Sequence, residues 1–318
     1  MSFKTFLRKT IVTNQSLIFK AYQKISDYSF SEKKKKYGDL NPDQGIYIIR
    51  RQANNVGLLS IVIVVLARIY EAENRGLIPV VDFMNYRNQY LDASLLRKEN
   101  AWEYYFEQPM GISLEEAYHS KNVVLGSGMV PEYRPNDRLD FLMNVDGELD
   151  KWRELYKRYI RVQPEIQEIA NLEFKINNNR SERVLGVCCR GLSYSRLQPK
   201  GHPIQPKVSD LLLKTKEMMK KDDCTKVYLS TEDGDIVNAF REYFGESLIT
   251  KTRIYYSCET GFGKQYYSPK QRGVDYLVQL LMLSKCNCLV SSRCSGAVGV
   301  ALMSDSFEDK FYFDLGNY

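Results

Sequence analysis

Short apolar strands recur along this chain, each leading into a helical stretch, and that alternation is its strongest constraint. It admits little besides parallel sheets covered by helices. Gly45–Arg51 reads as a short buried strand, and Asn54-Asn55-Val56-Gly57 as a turn whose Asn offers a helix cap. Leu58–Asn74 follows as a helix closed by Gly76, and Leu77–Asp82 as the next strand. Such a βαβ unit takes a right-handed crossover. After a loop-rich stretch over 95–145, the sequence is helical from Gly147 to about Asn178, broken at Pro164.

The alternation resumes at Val184–Cys189, followed by the long loop Gly191–Pro206 and a helix from Lys207 to about Lys221. Strand Lys226–Ser230, helix Asp235–Phe244 and strand Ser247–Ser257 come next, then a Gly- and Tyr-rich loop over 258–268. Helix 271–285, strand Asn287–Val290, helix 295–303 and strand Phe311–Asp314 complete a Rossmann-type unit. At 318 residues the chain exceeds what one core sustains, so two α/β domains are expected. The polar run Asn177–Ser181 is the natural boundary, giving a domain at 37–178 and another at 179–318.

Residues 1–36 are a separate, basic segment. They carry nine Lys and Arg against Asp27 and Glu32, while the net charge of the whole chain is only +6. The body therefore has no basic excess, which counts against nucleic-acid binding. The leader suits an anionic membrane surface, with Phe3, Phe6, Leu7, Ile11, Leu17, Ile18 and Phe19 as apolar contacts, or a solvated terminus. No apolar run is long enough to span a bilayer, and Lys and Arg interrupt any signal-peptide core. The seven cysteines include the adjacent pair Cys188–Cys189, which fits a reducing, cytoplasmic setting better than a disulfide framework. Cys286, Cys288 and Cys294 lack zinc-knuckle spacing and have no His beside them, so no metal is expected.

Three loops at the carboxyl ends of second-half strands should share one crevice. One holds Cys189-Arg190-Gly191, where the guanidinium fork suits a phosphate. Another holds Glu232 and Asp233. The third, Ser291-Ser292-Arg293-Cys294-Ser295-Gly296, opens a helix, whose first N–H groups and hydroxyls suit an anion. Together they read as a sugar-diphosphate site. The 23 tyrosines suit either sugar stacking or burial at helix–sheet contacts.

In order, Gly186-Val-Cys-Cys-Arg190, His202-Pro203-Ile204, Val227–Asp233, Gln271-Arg-Gly-Val274, Leu283-Ser284 and Cys288–Ser295 resemble the α-1,6-fucosyltransferase superfamily. That superfamily includes the nodulation and core fucosyltransferases. In the first half, Gly57–Ser60 and Asn100–Pro109 resemble bacterial surface-polysaccharide proteins of this kind. The resemblance implies a GT-B-like α/β fold, two Rossmann-like domains facing a central cleft. It also implies an inverting transfer from GDP-fucose without a metal, to a glycan acceptor of capsule or surface polysaccharide, lipid-linked in one version. Arg190 matches the pyrophosphate-holding arginine, Ser295 the serine of the phosphate-binding helix, and Glu232 and Asp233 the acidic pair. Where the family has a second arginine this chain has Gly191; the guanine-packing His falls on Cys188 and the guanine-reading Asp on Gln279, with Asp275 one turn earlier.

The expected chemistry is direct displacement at the anomeric carbon, with Arg190 and the helix start near Ser295 stabilising the departing diphosphate. Ser292, Arg293 and Gly296 would complete the donor site with His202, whose Gly-His-Pro turn reads as structural hydrogen bonding; His119 reads as surface. A carboxylate deprotonates the acceptor, with Glu103, Glu107, Asp82, Glu232 and Asp233 all open. The competing expectation is an inactive or non-enzymatic partner, docked to a membrane polysaccharide complex through residues 1–36.

Overall fold

The computed structural model describes residues 30–178, 182–191, 193–250 and 268–318. The apolar leader residues Phe3 to Phe19, the end of the Asn177–Ser181 run, the strand expected beyond Thr250 and nearly all of the loop 258–268 lie outside them.

Two sheets form. The first has strands β1 (Lys33–Lys35), β2 (Leu40–Arg50), β3 (Ile78–Asp82) and β4 (Ser120–Leu125) in the order β1-β4-β2-β3. β2 is parallel to both β3 and β4, and β1 closes the edge antiparallel. The second sheet has β5 (Val184–Cys188), β6 (Lys226–Ser230), β7 (Leu248–Ile249), β8 (Cys288–Ser292) and β9 (Asp309–Phe313), ordered β7-β6-β5-β8-β9 with every pairing parallel. The principal helices are α1 (Leu58–Glu73), α2 (Glu148–Tyr159), α3 (Pro164–Asn177), α4 (Val208–Lys221), α5 (Gly234–Phe244), α6 (Pro269–Leu283) and α7 (Ser295–Met303).

Two strands went unread in the sequence. β4 lies in the stretch read as loop, because its buried residues are only Ser120 and the short run Val123-Val124-Leu125. β1 is three lysines, a composition suited to an exposed edge that must not recruit another strand. The expected Asn cap of α1 is also absent. Gly57 takes the cap position and has no side chain to bond the first turn, where the Leu58 amide donates instead to the Tyr90 hydroxyl.

The register of β2 explains its bare apolar run. Ile46 and Ile48 face one cluster with Val80 and Val123, while Tyr47 and Ile49 face the other with α1, so Ile46–Ile49 is buried on both sides. α1 is apolar all round for a similar reason. One side covers the first sheet, and the other packs against α7 of the second half. The larger core cluster consequently runs through both halves, joining Leu59, Val62 and Leu66 to Trp152, Leu277, Val298 and Leu302.

The seam between the halves is close-packed. A Cβ on Gly299 would stand 2.3 Å from Leu59 Cδ1, so only glycine lets α7 approach α1 at this separation. Ser60 Oγ donates to Ser295 Oγ at 2.7 Å beside it. Arg153 Nε, on α2, donates to the Ala301 carbonyl at 3.0 Å, satisfying an orphan acceptor in the last turn of α7. Further along, Tyr105 Oη donates to the Lys270 carbonyl at 3.0 Å, and Arg272 donates to the Gln89 carbonyl at 2.6 Å.

Gly299→Ala should therefore cost about 1–3 kcal/mol through overpacking. Thermal denaturation should show a lower midpoint, and the Leu59→Ala/Gly299→Ala pair should lose less than the sum of the single variants. Strict additivity would mean that the two helices do not constrain each other there.

Candidate active site

In the second sheet the strand order reverses direction between β5 and β8, and the loops leaving these two strands flank the crevice where open α/β sheets bind ligands. The loop after β5 carries Arg190, and the loop after β8 carries Arg293, Cys294 and Ser295. In the first sheet β2 lies between β4 and β3, and its exit loop runs from Arg51 to Gly57. A cleft of about 480 Å³ separates the two sets of loops. Gly57 and Ser60 of α1 and Ser295 and Gly296 of α7 all line it, so two helix N-termini open on the same space. Their first-turn N–H groups make it favourable to an anion.

Arg190 is the central cation. Its guanidinium carbon lies 4.7 Å from the centre of the Tyr194 ring, and Nη1 lies 3.7 Å from a Glu232 carboxylate oxygen. Burial works against its charge, but Glu232 and then Tyr194 outweigh this and hold it firmly protonated. Its Nε is buried with no partner among the described residues, a donor left for something else to satisfy. Arg293 also lines the cleft but is committed: Nε donates to the Asp137 carbonyl at 2.7 Å, and Nη1 pairs with Asp314. Its work here is to anchor the loop that carries Asp137.

The structure brings Arg190, His202, Arg293, Ser295 and Gly296 together in this cleft. His202 is exposed at the rim, edge-on to Tyr194 with centroids 5.4 Å apart. Gly191, Glu232 and Gln279 line a second, small cavity of about 20 Å³ behind Tyr276, room for a water. Gln279 is 1% exposed, and its Oε1 accepts from Ser230 Oγ at 3.3 Å. Gly191 suits a tight spot, since a Cβ there would come within 3.2 Å of Asp233 Oδ2.

Other sequence candidates stand elsewhere. Asp233 is 4% exposed and caps α5, accepting from the Asp235 amide at 3.0 Å. Asp275 is buried and accepts from Gln271 Nε2 at 3.1 Å. Ser292 is buried at the end of β8 and does not line the cleft. Glu103 lies in a different, open groove beside Tyr86, Tyr104 and Tyr118, held by Asn100 and Gln108. Glu107 pairs with Arg161, and Asp82 is fully buried, accepting from Tyr118 Oη at 2.6 Å. His119 is exposed.

Sequence reasoning missed Arg51, Arg134, Asp137, Tyr194 and Tyr276 in the lining. Arg51 had a readable signal, since it ends an apolar strand just as Arg190 follows one. Arg134 and Asp137 had none, because their loop lacks periodicity. It also missed a thiol contact. Cys188 and Cys294, from the ends of β5 and the start of α7, hydrogen-bond each other. That bond, opposed by burial and helped by the Ala297 amide and the Arg190 charge, draws Cys294 below the usual thiol range. The same bond and burial push Cys188 up.

The arrangement is two α/β halves, each built on a largely parallel sheet, with the candidate site in the cleft between them. No protein-family model matches the chain, and no curated protein matches it significantly. Among solved structures it is similar to the fucosyltransferase NodZ from Bradyrhizobium, at 14% identity over 81% of this chain and 92% of that one, with a TM-score of 0.46. It is similar also to the NodZ α-1,6-fucosyltransferase soaked with GDP-fucose, at 14% identity over 86% and 96%, with a TM-score of 0.49. POFUT1 in its apo form aligns at 10% identity over 86% and 98%, with a TM-score of 0.47. Among the described residues no cluster of three or more His, Cys, Asp or Glu is placed to hold a metal, and no helix is long and apolar enough to cross a membrane.

Alkylation of Cys294 by iodoacetamide, followed by mass spectrometry, should rise with pH and reach half its maximum below the pH of an ordinary thiol. Cys188→Ala removes the bond that stabilises the thiolate, so the midpoint should move upward. An unmoved midpoint would show that the two thiols do not interact.

Proposed function

We propose that the protein is a glycosyltransferase that moves a sugar from a nucleoside-diphosphate donor to a glycan acceptor. What carries the reading is Arg190, its buried Nε unsatisfied among the described residues, standing with the start of α7 on one wall of an open cleft between the two halves. That is a place where growing negative charge on a departing diphosphate would be stabilised. The sequence resemblance to α-1,6-fucosyltransferases supports GDP-fucose as the donor to test first, with an inverting displacement that needs no metal. Residues 179–318 would form the donor side and 37–178 the acceptor side.

The base is the acceptor side's contribution. Among the described residues Asp137 is the sole carboxylate lining the cleft, and it enters no side-chain bond there. It is the group we assign to receive the acceptor proton. Glu232 instead balances Arg190, and Asp233 holds α5. The setting we favour is capsular or surface polysaccharide synthesis at the cytoplasmic face of a membrane. The basic bias of residues 1–36 supports that setting.

GDP should raise the melting temperature of the wild-type protein, and Arg190→Ala should abolish the rise. Stabilisation by UDP or TDP alone would replace the donor and keep the class. Silence from every nucleoside diphosphate would overturn the transferase in favour of a docking protein. With donor and acceptor in hand, Asp137→Asn should lower kcat by about 10²–10⁴-fold while leaving nucleotide affinity unchanged. Glu103→Gln, in the separate groove, should not.

A further inference from the structure

We propose that Arg51 and Arg134 form an anion subsite on the first half's wall of the cleft, taking a phosphate group carried by the acceptor glycan. The proposal rests on the transferase reading and adds the chemical class of its acceptor.

Four arginines line the cleft, and their partners differ. Arg293 is neutralised by Asp314, and Arg190 is balanced by Glu232. Among the described residues neither Arg51 nor Arg134 has a carboxylate at ion-pair distance. Arg134 is fixed in place by backbone alone, its Nη1 donating to the Pro131 carbonyl at 2.6 Å. Arg51 is half-buried, and burial followed by the nearby charge of Arg134 holds its guanidinium below the usual arginine range. Two like charges kept together without a counterion destabilise the empty cleft, and an anion between them removes that cost.

The donor's diphosphate does not account for this pair. Its charge is met on the opposite wall by Arg190 and the start of α7, whereas Arg51 follows β2 and Arg134 lies in the loop after β4. A phosphate monoester suits the geometry better than a carboxylate. Its three oxygens serve two guanidinium forks together with the first-turn N–H groups of α1 at Leu59 and Ser60, which line the cleft. Asp137 shares the Arg134 loop, so a phosphate held here would bring a neighbouring acceptor hydroxyl toward the proposed base.

The test is calorimetric titration with N-acetylglucosamine 1-phosphate and with N-acetylglucosamine, on protein alone and on protein saturated with whichever nucleotide stabilises it. The wild type should prefer the phosphorylated sugar by roughly tenfold or more in both states, as charge-assisted bonds predict. Arg51→Gln and Arg134→Gln should each erase that preference, keep nucleotide affinity, and melt no lower than the wild type, since each relieves a repulsion. Equal binding of the two sugars by the wild type overturns the subsite. So does a parallel loss of nucleotide affinity in both variants, which would give the pair to the donor. The arm without nucleotide reads the subsite even where the transferase reading fails, so the two failures are distinguishable.

Discussion

The close approach of α1 and α7 is the contact on which the rest depends. A glycine at 299 against Leu59, and a hydroxyl pair at Ser60 and Ser295, bring the two crossover helices together at their starts. Each helix is the first element after a central strand of its own sheet, so joining them also joins the two switch points. The cleft follows from that geometry. Its walls are the exit loops of β2 and β4 on one side and of β5 and β8 on the other, and both helix N-termini open into it. An apolar core running through both halves makes this relation a property of packing rather than of a linker.

Charge in the cleft is divided by partner. Arg293 is tied to Asp314 and to the Asp137 carbonyl, and so builds the wall. Among the described residues Arg190 is balanced yet incompletely satisfied, and Arg51 and Arg134 have no carboxylate at ion-pair distance. A protein that needed these charges only for stability would pair them. Leaving them unpaired in a half-buried space costs free energy unless an anion arrives.

Much of the second half was legible in sequence, because its strands are short, apolar and buried on both faces. Arg190, Ser295 and Gly296 were found from strand ends and a Ser/Gly helix start, and the structure puts them in one cleft. Asp233 and Asp275 were not separable from active carboxylates in sequence. An acid after a strand reads alike whether it caps a helix or faces a ligand, and here Asp233 caps α5. Glu103 drew attention through its aromatic neighbours, yet those rings line a groove apart from the cleft. β4 and the Arg134–Asp137 loop were invisible, since so short an apolar run and an aperiodic loop carry no local pattern.

By itself the sequence determined the layered α/β class and pointed to the cation and the helix start that the structure places in one cleft. These follow from periodicity and from residues adjacent in the chain, which act over a few residues. Only tertiary structure decided which carboxylate shares the cleft, which arginines keep a free charge, and that Cys188 meets Cys294. Those outcomes depend on contacts between residues far apart in the chain. Ser60 and Ser295 lie 235 positions apart, and no local pattern encodes how two helices so distant will pack.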